Sequence, residues 1–222
     1  MDGSGILFDR FVRLLPEGAE ASVANYPEHA YLNYEELADH VRKAIPLDKP
    51  YVIVAESYSG PVATLLAARP AGNLQAVVFV SSFVSLPLGR TGSWIAGFVP
   101  TAVFRVRAST WVLRWLLMDS GAPPDLLSSL QDAIARVRPE VLAERLRGAL
   151  RADYASVLSG CTVRVVCLAP DADRLLGTRG LRSILAAKPD VEVVKLAGSH
   201  LLLQCAPDCA VAALRELRIL RA

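Results

Sequence analysis

Val52-Ile53-Val54-Ala55-Glu56-Ser57-Tyr58-Ser59-Gly60-Pro61 runs a β-branched apolar stretch directly into a serine set among small residues, and the helix-forming Val62-Ala63-Thr64-Leu65-Leu66-Ala67-Ala68 follows. A buried strand that turns sharply into a helix leaves one side chain at the apex, here Ser57. The turn is so tight that the residues two before and two after the apex must be small. They are Ala55 and Ser59, with Gly60 next. The pattern is a variant of the G-x-S-x-G nucleophile elbow in which both outer glycines give way to the next smallest residues. Small-x-Ser-x-small recurs by chance, so its setting between a strand and a helix carries the meaning. A serine hydroxyl is a poor nucleophile without a base, and the elbow therefore predicts a histidine and an acid elsewhere in the chain.

Outward from the elbow, the strand–helix pattern repeats. Ile6-Leu7-Phe8, Phe11-Val12 and Leu14-Leu15 recur at helical spacing until Pro16. Ala21 to Tyr26 reads as a short strand closed by Pro27. Asn33 opens a helix, with Glu36 three residues on as in a capping box and Leu37, Val41 and Ile45 on its apolar face. Ala76-Val77-Val78-Phe79-Val80 is a buried strand, Thr162 to Leu168 another, and Val191 to Leu196 the last. A helix near Leu181 to Ala187 and a final one ending near Arg221 complete the chain. From Phe83 to about Ser159 only helical pieces appear, around Trp94 to Phe98, Ser109 to Met118, Pro124 to Val137 and Pro139 to Tyr154. The expected class is α/β: a mostly parallel sheet of about five strands with helices on both faces. Residues 1–82 and 161–222 form its two core parts. Residues 83–160 are a helical insertion over the sheet's carboxyl edge, where open α/β sheets bind ligands.

Composition narrows the function classes. A chain of 222 residues suits one domain with a sizeable core. Its mean hydropathy of +0.35 is high, yet no apolar run approaches the ~20 residues that span a bilayer. A net charge of +2 gives no reason to expect a nucleic-acid partner, and the arginines are scattered over helix faces as solvating charges. Met1-Asp2-Gly3-Ser4-Gly5 has neither the basic region nor the apolar core of a signal peptide, so a cytoplasmic location is expected. The four cysteines, Cys161, Cys167, Cys205 and Cys209, lack the framework of a small secreted domain. Cys205 and Cys209 lie near His200, but C-x-x-x-C with one histidine is not a usual zinc spacing, and buried reduced thiols are the expectation.

The partners of Ser57 come from later loops. Of three histidines, His29 lies in a turn and His40 on a charged helix face, both solvated. His200, in Leu196-Ala197-Gly198-Ser199-His200, leaves the last strand at the same edge as Ser57. Its alternative reading is a capping or core histidine. An acid should follow the preceding strand, where Ala169-Pro170-Asp171-Ala172-Asp173-Arg174-Leu175 offers Asp171 and Asp173, either of which fits as the acid or as an ordinary loop carboxylate. Trp94, Phe98, Trp111, Trp115, Leu116 and Met118 fit two roles: the lining of an apolar acyl pocket, or the packing of the insertion onto the body.

Together these motifs resemble the α/β-hydrolase family, in the small bacterial form with a helical lid. Ala55 to Pro61 is similar to the family's Glu-Ser-(aromatic)-Ser-Gly-Pro elbow. Ala172-Asp173-Arg174-Leu175 resembles its acid loop, which favours Asp173 over Asp171. Gly198-Ser199-His200-Leu201-Leu202-Leu203-Gln204 resembles its histidine loop, usually written with proline where Ser199 stands. The resemblance implies a serine hydrolase acting on a small-molecule ester or thioester without a cofactor, with Ser57 as nucleophile, His200 as base and Asp173 as acid. The Tyr58 N–H would be one oxyanion donor. Relatives carry an apolar strand running into a Pro-Gly-(Met or Leu)-Asp-Gly-(Ser or Thr)-Gly loop that supplies the second donor; this sequence starts inside that loop, so Met1 and Asp2 stand at that position. Two expectations follow. Either translation begins upstream of Met1, or the Ala21–Tyr26 strand pairs directly with the elbow strand or leaves a gap. The second, with an impaired oxyanion hole, implies a non-catalytic or binding homologue.

Overall fold

The computed structural model describes residues 1–86 and 100–220. In chain order they form α1 (Asp9–Arg13), α2 (Tyr34–Arg42), β1 (Pro50–Glu56), α3 (Gly60–Ala68), β2 (Asn73–Val80), α4 (Thr110–Leu117), α5 (Leu126–Arg136), α6 (Pro139–Arg151), α7 (Ala155–Ser159), β3 (Arg164–Pro170), α8 (Arg179–Ala187), β4 (Glu192–Leu196), α9 (Leu202–Cys205) and α10 (Pro207–Glu216). The strands lie side by side in the order β1-β2-β3-β4, and every neighbouring pair is parallel.

The centre of β2 shows why both faces are covered. Ala76 to Val80 are all 3% exposed or less, and successive side chains point to opposite faces. Val77 and Phe79 pack with Ala63 and Ala67 of α3, Leu158 of α7 and Ile184 of α8. Val78 and Val80 pack with Phe11 of α1, Leu202 of α9, and Ala210 and Leu214 of α10. A strand buried on both sides has no polar face, hence the unbroken apolar run. Each such side chain contributes about 1.5–3 kcal/mol by leaving water. A third cluster joins Tyr34 and Leu37 of α2, Tyr58 of the elbow, Val62 and Leu66 of α3, and Ala149 of α6.

Local signals place the helices around this sheet. Asn33 Oδ1 accepts the Glu36 N–H at 2.9 Å and Glu36 Oε2 accepts the Asn33 N–H at 2.8 Å, which is the capping box expected at the start of α2. The helices between β2 and β3 leave and return at one point. Ser85 and Asp153 form an antiparallel bridge, and the Tyr154 N–H donates to the Val84 carbonyl at 3.0 Å. Arg145 of α6 is 1% exposed and reaches back to the start of the chain. Its guanidinium donates to the carbonyls of Met1 (2.8 Å), Asp2 (2.7 Å) and Pro27 (2.9 Å).

Three expectations need correction. Ala21 to Tyr26 do not form a strand, so the sheet of the described residues has four strands, not five. Ala21 to Asn25 are exposed, and the Tyr26 N–H donates to the Gly3 carbonyl at 2.8 Å without a ladder on either side. β-Propensity without a paired neighbour does not make a strand. Trp111 and Trp115 neither pack inward nor line an enclosed pocket: they are 71% and 49% exposed and stack on each other with centroids 6.1 Å apart. The other face of α4 supplies the inward side chains Leu113 and Leu117, followed by Met118, against Leu126, Leu130 and Leu201. Of the thiols, Cys161 and Cys167 are buried, but Cys205 is half-buried and Cys209 exposed, because α9 and α10 turn that side outward. Trp94 and Phe98 lie outside the described residues.

Candidate active site

At the end of β1 the backbone turns on a non-glycine residue in the left-handed region: Ser57 has φ 51°. Such a conformation persists only when its surroundings over-determine it, and here they do. Ala55 is 2% exposed, the Ser57 carbonyl accepts the Ser82 hydroxyl at 2.8 Å, and Pro61 starts α3 with its φ already set. Gly60 is there because nothing larger fits. A Cβ on it would stand 2.2 Å from the Phe83 carbonyl oxygen and 2.3 Å from Ser82 Oγ. Gly60→Ala is therefore expected to destabilise the fold by about 1–3 kcal/mol, the usual scale of overpacking. A urea midpoint equal to wild type would contradict this.

The turn after β4 brings the histidine to the same edge. Gly198, at φ 154°, lets the chain pass Leu202, and Ser199 and His200 follow, each 2% exposed. The Ser199 N–H donates to Asp119 Oδ2 at 3.1 Å, and the Leu201 N–H to the Leu117 carbonyl at 3.0 Å. The helices between β2 and β3 thus grip the histidine loop directly. His200 Nε2 lies 2.8 Å from Ser57 Oγ, and Nδ1 lies 2.9 Å from Asp173 Oδ2. Ser57, His200 and Asp173 form one continuous hydrogen-bonded chain.

The two aspartates after β3 divide the work. Asp173 Oδ1 accepts the N–H groups of Leu175 and Leu176, both at 2.9 Å, which leaves Oδ2 for the imidazole. Burial alone would raise this carboxyl. The His200 hydrogen bond, the His200 charge and the two backbone N–H groups outweigh it and hold Asp173 below the usual carboxylate range. Asp171 instead accepts the Gly198 N–H at 3.1 Å, pinning the histidine loop without touching the ring.

Around the elbow, Tyr58 is buried, its ring 4.9 Å from that of Tyr34 and 6.3 Å from that of Tyr26. The Tyr26 hydroxyl donates to Ser59 Oγ at 2.9 Å. Gly3 lies against Tyr26, since a Cβ on it would meet Tyr26 Cβ at 2.7 Å. Together with Arg145, Tyr26 holds residues 1–3 beside the elbow. Asp2 binds Ser4 through its hydroxyl at 2.7 Å and its N–H at 3.0 Å. Trp111 and Trp115 are not among the groups in contact with Ser57 or His200; Arg174 of the acid loop donates to the Trp115 carbonyl at 2.9 Å and sits over its ring. A cavity of about 260 Å³ opens behind Asp173, lined among others by Ser81, Leu176, Leu181 and Ile184. Neither Ser57 nor His200 lines it.

Sequence reasoning did not find Asp119, Ser82, Tyr26 or Arg145 as contributors, and it met Glu56 and Gln204 only as members of the elbow and histidine motifs, without a role. Their partners are distant in the chain, and no periodic pattern marks them.

The comparisons with known proteins bear on the fold and the family. No curated protein matches the sequence. Among solved structures the chain is similar to a thermophilic esterase from Thermogutta terrifontis, at 17% identity over 99% of this chain and 87% of that one, with a TM-score of 0.79. A hydrolase from Oleispira antarctica gives 12% identity, 98% and 87% coverage and a TM-score of 0.79. A bromoperoxidase from Bacillus anthracis gives 15%, 97%, 88% and 0.75. At such identities the likeness is one of fold, and the third neighbour's name shows that the fold alone does not choose a reaction. The model of the alpha/beta hydrolase family matches residues 6–214, from the first helical turn into the last turn of α10. With the parallel sheet, the serine at its strand-to-helix turn and the histidine after the last strand all in that family's order, the chain belongs to the alpha/beta hydrolase family.

Proposed function

We propose that the chain is a serine hydrolase that cleaves carboxylic ester or thioester bonds through an acyl-enzyme intermediate. The observation that carries this reading is the unbroken Asp173–His200–Ser57 chain, at 2.9 and 2.8 Å. Ser57 Oγ attacks the acyl carbonyl while His200 Nε2 takes its proton. When the tetrahedral adduct collapses, the imidazolium returns that proton to the departing alcohol or thiol. Water then repeats the sequence on the acyl-enzyme, releasing the acid and restoring Ser57. Asp173 keeps Nδ1 protonated, so that Nε2 is free to accept. The Tyr58 N–H, next after the nucleophile, is the first oxyanion donor, and the Met1–Asp2 segment held by Arg145 is the place for a second. Each such donor is worth about 10²–10³ in turnover.

Residues 83–160 serve as a lid in this reading. Its support is that both ends of the segment meet at Ser85 and Asp153, while Leu117 and Asp119 contact the loop carrying His200. No described helix is long and apolar enough to cross a membrane. The test is hydrolysis of p-nitrophenyl esters from acetate to octanoate, and of the matching acyl thioesters. Expected is a burst of p-nitrophenol equal to the enzyme present, followed by slower turnover. No release above the uncatalysed rate across both series would overturn the reading.

A further inference from the structure

Glu56, immediately before Ser57, takes no part in the steps above, yet its carboxylate lies between the two halves of the site. Oε2 accepts from Gln204 Nε2 at 2.9 Å, and Oε1 accepts the Leu203 N–H at 3.3 Å. Both donors belong to α9, which begins two residues after His200. Glu56 thus gives a polar link from the elbow strand to the helix behind the histidine. Gln204 is 2% exposed, and its Oε1 has no partner among the described residues.

Burial holds Glu56 above the usual carboxylate range; the Gln204 hydrogen bond, the His200 charge and the Leu203 N–H favour the anion without cancelling that rise. The charged and titratable groups facing it are His200 from the β4 loop, the amino group of Met1 and the Cys205 thiol of α9. The imidazole in turn faces Asp173 and Ser57, while Asp119 and Cys205 flank its loop.

Resting on the triad reading above, we infer that Glu56 is a positioning residue. Its carboxylate ties the nucleophile's strand to the histidine's helix and supplies a second negative charge that favours the imidazolium formed when Ser57 attacks. The two roles separate on substitution. In Glu56→Gln the amide oxygen still accepts the Leu203 N–H, and a turned Gln204 amide offers its Oε1 to the new NH₂; two contacts to α9 are kept, Gln204 exchanges one unpaired polar atom for the other, and the charge is lost.

The experiment measures the rate at which a fluorophosphonate labels Ser57 between pH 5 and 9, for the wild-type chain, Glu56→Gln and Gln204→Met, with thermal melts of each. Glu56→Gln is expected to melt near wild type and to label about tenfold more slowly on the plateau, a barrier change of about 1.4 kcal/mol. Its acidic limb should move to lower pH, because the carboxylate that would favour the protonated form of the site is gone. Gln204→Met removes the donor that favours the Glu56 anion and should shift the limb the same way by less. Unchanged rate and limb in Glu56→Gln would overturn the inference. So would a slower rate with an unmoved limb, which is the mark of packing alone. Should Glu56→Gln fail to fold, wild-type behaviour of Gln204→Met overturns it instead. A wild-type chain that takes no label fails the triad reading itself, whereas a labelled wild type with an unaffected Glu56→Gln fails this inference alone.

Discussion

Ser57→Ala is expected to lower kcat for ester hydrolysis by about 10⁶, the scale on which a nucleophile and base that act as a unit are lost together. The hydroxyl sits 2.8 Å from His200 Nε2, and in the proposed mechanism that short distance is what lets a neutral serine attack. Alanine keeps the Cβ in the same left-handed turn, and the Ser57 carbonyl still accepts the Ser82 hydroxyl. The fold should therefore survive. Initial rates on a p-nitrophenyl ester, with a thermal melt as control, check both halves. A folded variant with wild-type rates would place the chemistry elsewhere.

Asp173→Asn is expected to cost about 10⁴ in kcat with little change in shape. The reason is the tautomer. Oδ2 accepts from His200 Nδ1 at 2.9 Å, so Nε2 faces Ser57 with a lone pair. An amide NH₂ in that place would donate to Nδ1 and move the ring proton to Nε2, where it blocks the transfer. Asp171→Asn should cost less than about tenfold, because its amide oxygen still accepts the Gly198 N–H and never meets the ring. The contrast between two aspartates in one loop makes the assignment sharp. Linkage adds a second readout. Asp173 is held below its ordinary range, so its contribution to stability is complete above that range and is lost as pH falls through the lowered folded value. Glu56, raised by burial, works in the opposite direction and favours the fold more as pH falls.

What could be read from residues alone was whatever is local. The elbow announces itself because small residues must flank its apex, and Gly60, 2.2 Å from a backbone oxygen once given a Cβ, shows how hard that requirement is. The capping box at Asn33 and the unbroken apolar run of β2 are local in the same sense. The Ala21–Tyr26 strand failed because pairing depends on a neighbour, and sequence propensity carries no information about one. Trp111 and Trp115 were read by their spacing, which fixes a shared helix face but not which face turns inward; Leu113 and Leu117 took that side. Residue pattern alone left Asp171 and Asp173 open and only the likeness of the Ala172–Leu175 loop favoured Asp173; in the structure Asp173 Oδ2 meets His200 Nδ1, while Asp171 meets the Gly198 N–H. Least legible were the polar ties across the chain, Glu56 to Gln204 and Arg145 to Met1. They join residues more than a hundred positions apart and leave no period behind.

The central claim is that Ser57 is an activated nucleophile. Its most direct measurement is incubation of the folded chain with a fluorophosphonate, followed by digestion and mass mapping of the adduct. The account predicts one phosphonyl group per chain, on the peptide carrying Ser57, and none in Ser57→Ala. A folded sample that stays unmodified, or one labelled equally in both chains, would contradict it.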